Sequence, residues 1–247
     1  MKNLLKFEWR KLWQSKSLYI VFSIGLVSII LSLALSKVLL EIFNTTPNAT
    51  QSMLSVLTMS NFTSLLGIYI AIFVCDDFSQ HTIKNMYARG YSRSAVYFSK
   101  YLISLFVSLV VALLYLGFGF VFALILGGYA GDMPADMWRD LILQLWVVVG
   151  LHGLFFGISM MIGKIAGSLA LNLVGIAVVF GLLNLIFQIT KIDFNIMLYE
   201  LEMILGGLAH VSGDAPHPGL VRAIVMPICY VIVFVGGGWL VNRRRDV

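Results

Sequence analysis

The sequence predicts an all-α, polytopic membrane protein with six transmembrane helices. Three observations carry this. Of 247 residues, 60% are hydrophobic and only 12% are charged, about half the charge of an ordinary soluble domain. The mean hydropathy is +0.92. The apolar residues also come in six runs, at about 17–37, 54–75, 101–127, 140–162, 168–189 and 220–241. A helix of about 20 residues crosses the ~30 Å hydrocarbon core. This composition excludes a soluble enzyme and a disordered chain, and two cysteines exclude a disulfide scaffold.

Residues 1–16 precede the first span. On a helix, Leu5, Trp9, Leu12 and Trp13 share one face and Lys2, Lys6, Arg10 and Lys11 lie mostly elsewhere. Tryptophan favours the membrane interface and lysine can snorkel from it. The expectation is a helix lying on the inner leaflet, anchored by Trp9 and Trp13. Ala34-Leu35-Ser36 resembles a cleavage site, but the apolar run is about twice a signal peptide's, so it reads as a span. Span two is the weakest. Its apolar part, Phe62 to Cys75, is short and must borrow Met53 to Asn61.

Residues 76–100 form the one sizeable inner loop, and 128–138 is a turn-like outer loop. The short link 163–167 makes spans four and five antiparallel neighbours. In the outer segment 190–219, Phe194, Met197, Leu198, Leu201, Ile204, Leu205 and Leu208 form a helical stripe. It predicts an outer amphipathic helix that caps the bundle or dips into the headgroups, and that breaks at Gly206-Gly207. Asn44, Asn48 and Asn61 head N-x-T triplets and read as plain polar loop residues.

Six spans put both termini on one side. With the termini inside, thirteen of the 17 basic residues are cytoplasmic, while eight of the 12 acids are outside. The positive-inside rule selects that orientation. The net charge of +5 therefore reports topology and contact with anionic lipid, not nucleic acid.

The chemistry of an autonomous enzyme is missing. There is no G-x-x-x-x-G-K-[ST] cradle for ATP, no H-E-x-x-H, no His/Cys set for a metal and no G-x-S-x-G elbow. No catalytic residue and no metal ligand is assigned. Cys75 and Cys229 read as free thiols in apolar surroundings. Among polar residues inside the spans, His152 either lines a path or bonds a Ser or Asn of a neighbouring helix; the packing role is favoured. Ser28, Ser32 and Ser36, then Ser104, Ser108 and Tyr115, then Asn172, Asn184 and Gln188 either line a path or join helices. Candidate path residues are Ser28, Ser32, Ser108, His152, Asn172 and Asn184. Gly153 and Gly157 form a GxxxG that allows close helix approach. No acid falls in the centre of a span, which counts against an ion-driven carrier.

The inner loop carries the most information. Asp77-Phe78 is followed by His81-Thr82-Ile83-Lys84, then Arg89-Gly90, Ser92-Arg93 and Ser99-Lys100. It reads as a short polar helix, a turn at Gly90 and a second helix capped by Ser92 or Ser94. The segment resembles the permease subunits of type-2 ABC exporters. In that family an acid and an aromatic precede Gly-Thr-[Ile/Leu]-Lys, a turn, Ser-Arg and Ser-Lys. Asp77 stands here for the usual glutamate, and His81 for a common glycine. The resemblance implies that this chain binds no cofactor, and that ATP and Mg reside on a partner, a cytosolic ATPase dimer. It also implies a second permease copy or paralogue, and a bacterial plasma membrane as the setting. Asp77, Phe78, His81, Thr82, Lys84, Arg89 and Arg93 would form the coupling site, with Phe78 as its apolar anchor. Small permeases of this kind resemble exporters of amphipathic or antimicrobial peptides. The alternatives are a stand-alone carrier or channel, or an intramembrane enzyme built around His152.

Overall fold

The computed structural model describes residues 2–42, 49–59, 61–127, 136–190, 196–209 and 218–244. Among them every regular element is helical. Six helices are long and apolar enough to cross a membrane. They are Lys16–Leu35, Phe62–Ser79, Arg93–Ile125, Met137–Ile162, Ile165–Ile189 and Leu220–Arg244. They are spans one to six below. The shorter helices are an N-terminal helix, Lys2–Gln14, a cap helix, Ala49–Met59, a loop helix, Thr82–Ala88, and an outer helix, Leu201–Ala209.

Span four is the axis of the bundle. In its most apolar stretch 78% of the residues are buried, against 6% for span five at the periphery. Glycine explains how span six packs so closely on this axis. A Cβ on Gly157 would lie 2.3 Å from the Phe234 carbonyl oxygen, and one on Gly150 would lie 2.8 Å from Pro227. The expected Gly153–Gly157 contact is therefore present, and Gly150 extends it. Pro227 lacks an N–H and interrupts the helical ladder; span six then passes through a π turn at Val231–Val235. Tyr97 of span three donates to the Val235 carbonyl at 2.7 Å. Trp146 of span four donates to the Ile224 carbonyl at 3.0 Å.

The structure corrects two sequence readings. The run 54–75 is not one helix. Asn61 adopts a left-handed backbone, φ 54°, which ends the cap helix and starts span two at Phe62. The cap helix then packs across span three, and Gln144 donates to its Leu54 carbonyl at 2.9 Å. The N-terminal helix buries Leu4, Glu8 and Leu12 against the bundle and leaves Trp9 and Trp13 exposed on its outer side. Trp9 also packs its ring against Phe106 of span three, 5.7 Å between centroids.

The second correction is the outer helix, which runs through Gly206-Gly207 to Ala209. Burial of Leu201, Ile204, Leu205 and Leu208 outweighs the roughly 1 kcal/mol that each helical glycine costs. Leu201 reaches the middle of span four, where its side chain lies 3.1 Å from a Cβ built on Gly150. This helix therefore caps the bundle. Phe194, Asn44, Asn48 and the loop 128–135 lie outside the described residues.

Candidate functional site

Span two ends, and span three begins, in charged residues that the fold turns inward. Asp77 sits in the last turn of span two and Lys100 in the second turn of span three. Glu8 and Lys11, three residues apart, share a face of the N-terminal helix. Glu8, Asp77 and Lys100 are all 0% exposed. Lys100 and Lys11 each donate to a different oxygen of Asp77. Lys100 also donates to the Glu8 carboxylate at 3.2 Å. The ammonium groups of Lys100 and Lys11 lie 5.0 and 5.6 Å from the Phe73 ring centroid. Two carboxylates and two ammoniums cancel, and this pairing is what lets such charges leave water.

The cluster joins three segments distant in sequence: the N-terminal helix, the end of span two and the start of span three. Next to it stands the loop. Gln80 donates to both Asp76 carboxylate oxygens at 2.9 Å. His81 has φ 56°, the left-handed region that glycine adopts without strain. The loop helix follows. Its Ile83 and Met86 are buried, while Lys84, Asn85, Ala88 and Arg89 face outward. Gly90 turns the chain with φ 85°. The Ser92 hydroxyl then accepts from the Ala95 N–H at 3.2 Å, the N-cap bond that starts span three at Arg93.

The end of span six meets the same corner. Arg93 donates to the Arg243 carbonyl at 2.9 Å, and Trp239 donates to the Ser94 hydroxyl at 3.1 Å. The N-terminal helix, the loop helix and the last turn of span six thus gather at one end of the bundle.

The residues singled out from the sequence fall into three groups. His81, Lys84 and Arg89 are exposed, and Thr82 and Arg93 are half-buried. Thr82, Gln80 and Arg10 line a recess of about 230 Å³ between the loop and the N-terminal helix. Of the other two coupling residues, Asp77 is buried and Phe78 is half-buried. Asp77 faces the ion cluster, and Phe78 packs against the main core. Glu8, Lys11 and Lys100 were missed. Their signal was an acid one helical turn from both Leu4 and Leu12, and a lysine opposite Asp77 across the loop.

The intramembrane candidates lie in the following contacts. His152 is 0% exposed. Its Nε2 lies 3.2 Å from the Ser104 hydroxyl and its Nδ1 lies 2.9 Å from the Ser108 hydroxyl. Both nitrogens are engaged by span three. Ser28 and Ser32 donate to the Gly25 and Ile29 carbonyls of their own helix. Asn172 donates to the Gly67 carbonyl at 3.2 Å and to the Ser159 hydroxyl at 3.3 Å, linking spans two, four and five. Asn184 is half-buried. The Cys75 thiol lies 3.1 Å from the Ser168 hydroxyl, whereas Cys229 is exposed rather than packed. Among the described residues no group of three His, Cys, Asp or Glu could hold a metal.

A family model described as ABC-2 family transporter protein matches residues 4–184. The chain belongs to the ABC-2 transporter family. The match runs from the N-terminal helix through most of span five, so it contains the whole ion cluster and the loop. An ABC-2 chain is the membrane subunit of an ABC transporter. It is a transport subunit, not a catalyst in itself, and the family implies an ATPase partner. Comparison with the curated proteins gave no match, and neither did comparison with the solved structures.

Proposed function

We propose that this ABC-2 chain is the permease of an ATP-driven exporter, and that its loop 80–92 docks on a cytosolic ATPase dimer. ATP and Mg bind to that partner. One observation carries the reading. The exposed loop helix stands on a buried ion cluster that ties it to the N-terminal helix and to spans two and three. A push on such a loop moves three elements together, because breaking the ion pairs to let one slip would leave charges buried and unpaired.

His81, Lys84 and Arg89 form the docking face in this reading, with Thr82 and Arg93 at its edge. Asp77 supports that face from beneath. The charge distribution favours the termini and the loop on the cytoplasmic side. A second permease, identical or paralogous, would complete the path, and the plasma membrane is the setting. The amphipathic peptide as cargo follows from the family resemblance alone.

The test is transport in proteoliposomes holding the permease and its ATPase. ATP-dependent movement of a labelled amphipathic peptide is expected, and it is lost in Lys84→Glu/Arg89→Glu although the variant inserts normally. Transport by this chain alone, driven by an ion gradient, would contradict the proposal and favour the carrier reading.

A further inference from the structure

Away from the ion cluster, a cleft opens beneath the outer helix. Glu200, Glu202, Asn172 and Thr63 supply its polar wall, in a cavity of about 40 Å³. Leu154, Ile176 and Tyr230 line this cavity and also line a second one of about 390 Å³. That second cavity is an apolar groove between span five and span six, with Val179 and Phe234 on its walls. The two adjoin along these shared walls, one acidic and the other apolar, as neighbouring parts of one cleft region.

The polar end lacks a partner. Asn172 is 5% exposed, and both contacts it makes use its Nδ2. Its Oδ1 is buried without a hydrogen-bond partner, which is costly unless something donates to it. Glu200 is 8% exposed, and among the described residues no ion pair is formed by Glu200 or Glu202. The nearby Arg222 guanidinium lies over the Tyr199 ring at 5.2 Å. Tyr230 donates to the Tyr199 carbonyl at 3.3 Å, which holds the backbone next to Glu200 in place.

We propose that this cleft binds a monovalent cationic amphiphile, its ammonium head between Glu200 and Asn172 and its apolar tail in the groove between spans five and six. Size and charge decide the class. The polar cavity has room for a head of about one to three water volumes. The groove falls within the ordinary range for ligand pockets. The Glu200 and Glu202 carboxylates at this end repel an anion, and a neutral alcohol forgoes the charge-assisted bonds to them. The groove opens sideways between two lipid-facing helices, so the ligand arrives from the bilayer. Its status as cargo rests on the exporter reading; its binding does not.

The experiment uses the full chain in lipid nanodiscs with a photoreactive dodecylammonium probe. Saturable labelling of spans five and six is expected, competed by dodecylammonium but not by dodecanol or dodecyl sulfate. Glu200→Gln/Glu202→Gln is expected to weaken binding by about tenfold or more. Val179→Trp, at an exposed position on span five, fills the groove and should weaken it comparably without disturbing the fold. No saturable labelling, equal competition by dodecanol, or unchanged affinity in both variants would overturn the site. ATPase capture is measured on the same preparations. Capture without labelling removes this site and leaves the exporter reading; labelling without capture does the reverse.

Discussion

Lys100 donates to Asp77 across the loop and to Glu8 of the N-terminal helix at 3.2 Å, and all three side chains are 0% exposed. A lysine that reads in the sequence as a membrane-flanking charge is thus the centre of the inner corner. Removing Lys100 leaves Glu8 buried and charged without its ion-pair partner, and Asp77 with Lys11 alone. Lys100→Met is therefore expected to cost about 3–5 kcal/mol. Thermal unfolding in detergent reads this. The N-terminal helix should also become protease-sensitive, because Glu8 is then held only by its apolar neighbours Leu4 and Leu12.

His81 stands where the loop needs a left-handed residue. A non-glycine residue costs roughly 1–2 kcal/mol in that region. His81→Gly should leave stability unchanged or raise it by about 1 kcal/mol in thermal melts. His81→Val should lower it, since a β-branched residue is the poorest fit there.

Span six rests on Gly157 with no room for a side chain. Gly157→Leu is expected to separate spans four and six and cost about 2 kcal/mol or more. Gly181, beside which a Cβ meets nothing within 4 Å, is the matched control. Gly181→Ala should be neutral or slightly stabilising in the same melt.

Much of this was legible in the sequence, and the exceptions have physical causes. Hydropathy locates six spans because each crossing needs the same apolar length. It missed the break at Asn61 because a window average carries no backbone angle. Helical periodicity placed the N-terminal helix but did not show which of its residues face the bundle. Trp9 and Trp13 mark what lipid covers, while the inward face includes Glu8, a charge that patterning assigns to water. Gly206-Gly207 reads as a stop, but the buried leucines on both sides carry the outer helix through it. At the loop, the turn at Gly90 and the Ser92 cap were readable from local chemistry. The inward aim of Asp77 was not, because it depends on Lys100 and Lys11 arriving from elsewhere.

Burial raises the Glu200 and Glu202 carboxyls above the ordinary range, and the Glu202 charge adds to the shift at Glu200. A carboxyl raised in the folded state stabilises it at low pH. That contribution is lost as pH rises through the raised values. Wild type is therefore expected to lose stability relative to Glu200→Gln/Glu202→Gln as pH climbs from about 4.5 toward 7. Paired melts across that window read the difference, and a gap constant with pH would contradict it.

The most direct measurement is affinity capture of this permease from solubilised membranes, with ATPase activity assayed in the eluate. Coupling through the exposed loop predicts that an ATP-hydrolysing subunit is retained by wild type and lost in Lys84→Glu/Arg89→Glu, with equal permease recovered. Retention of the same ATPase activity by the charge-reversed variant would contradict it.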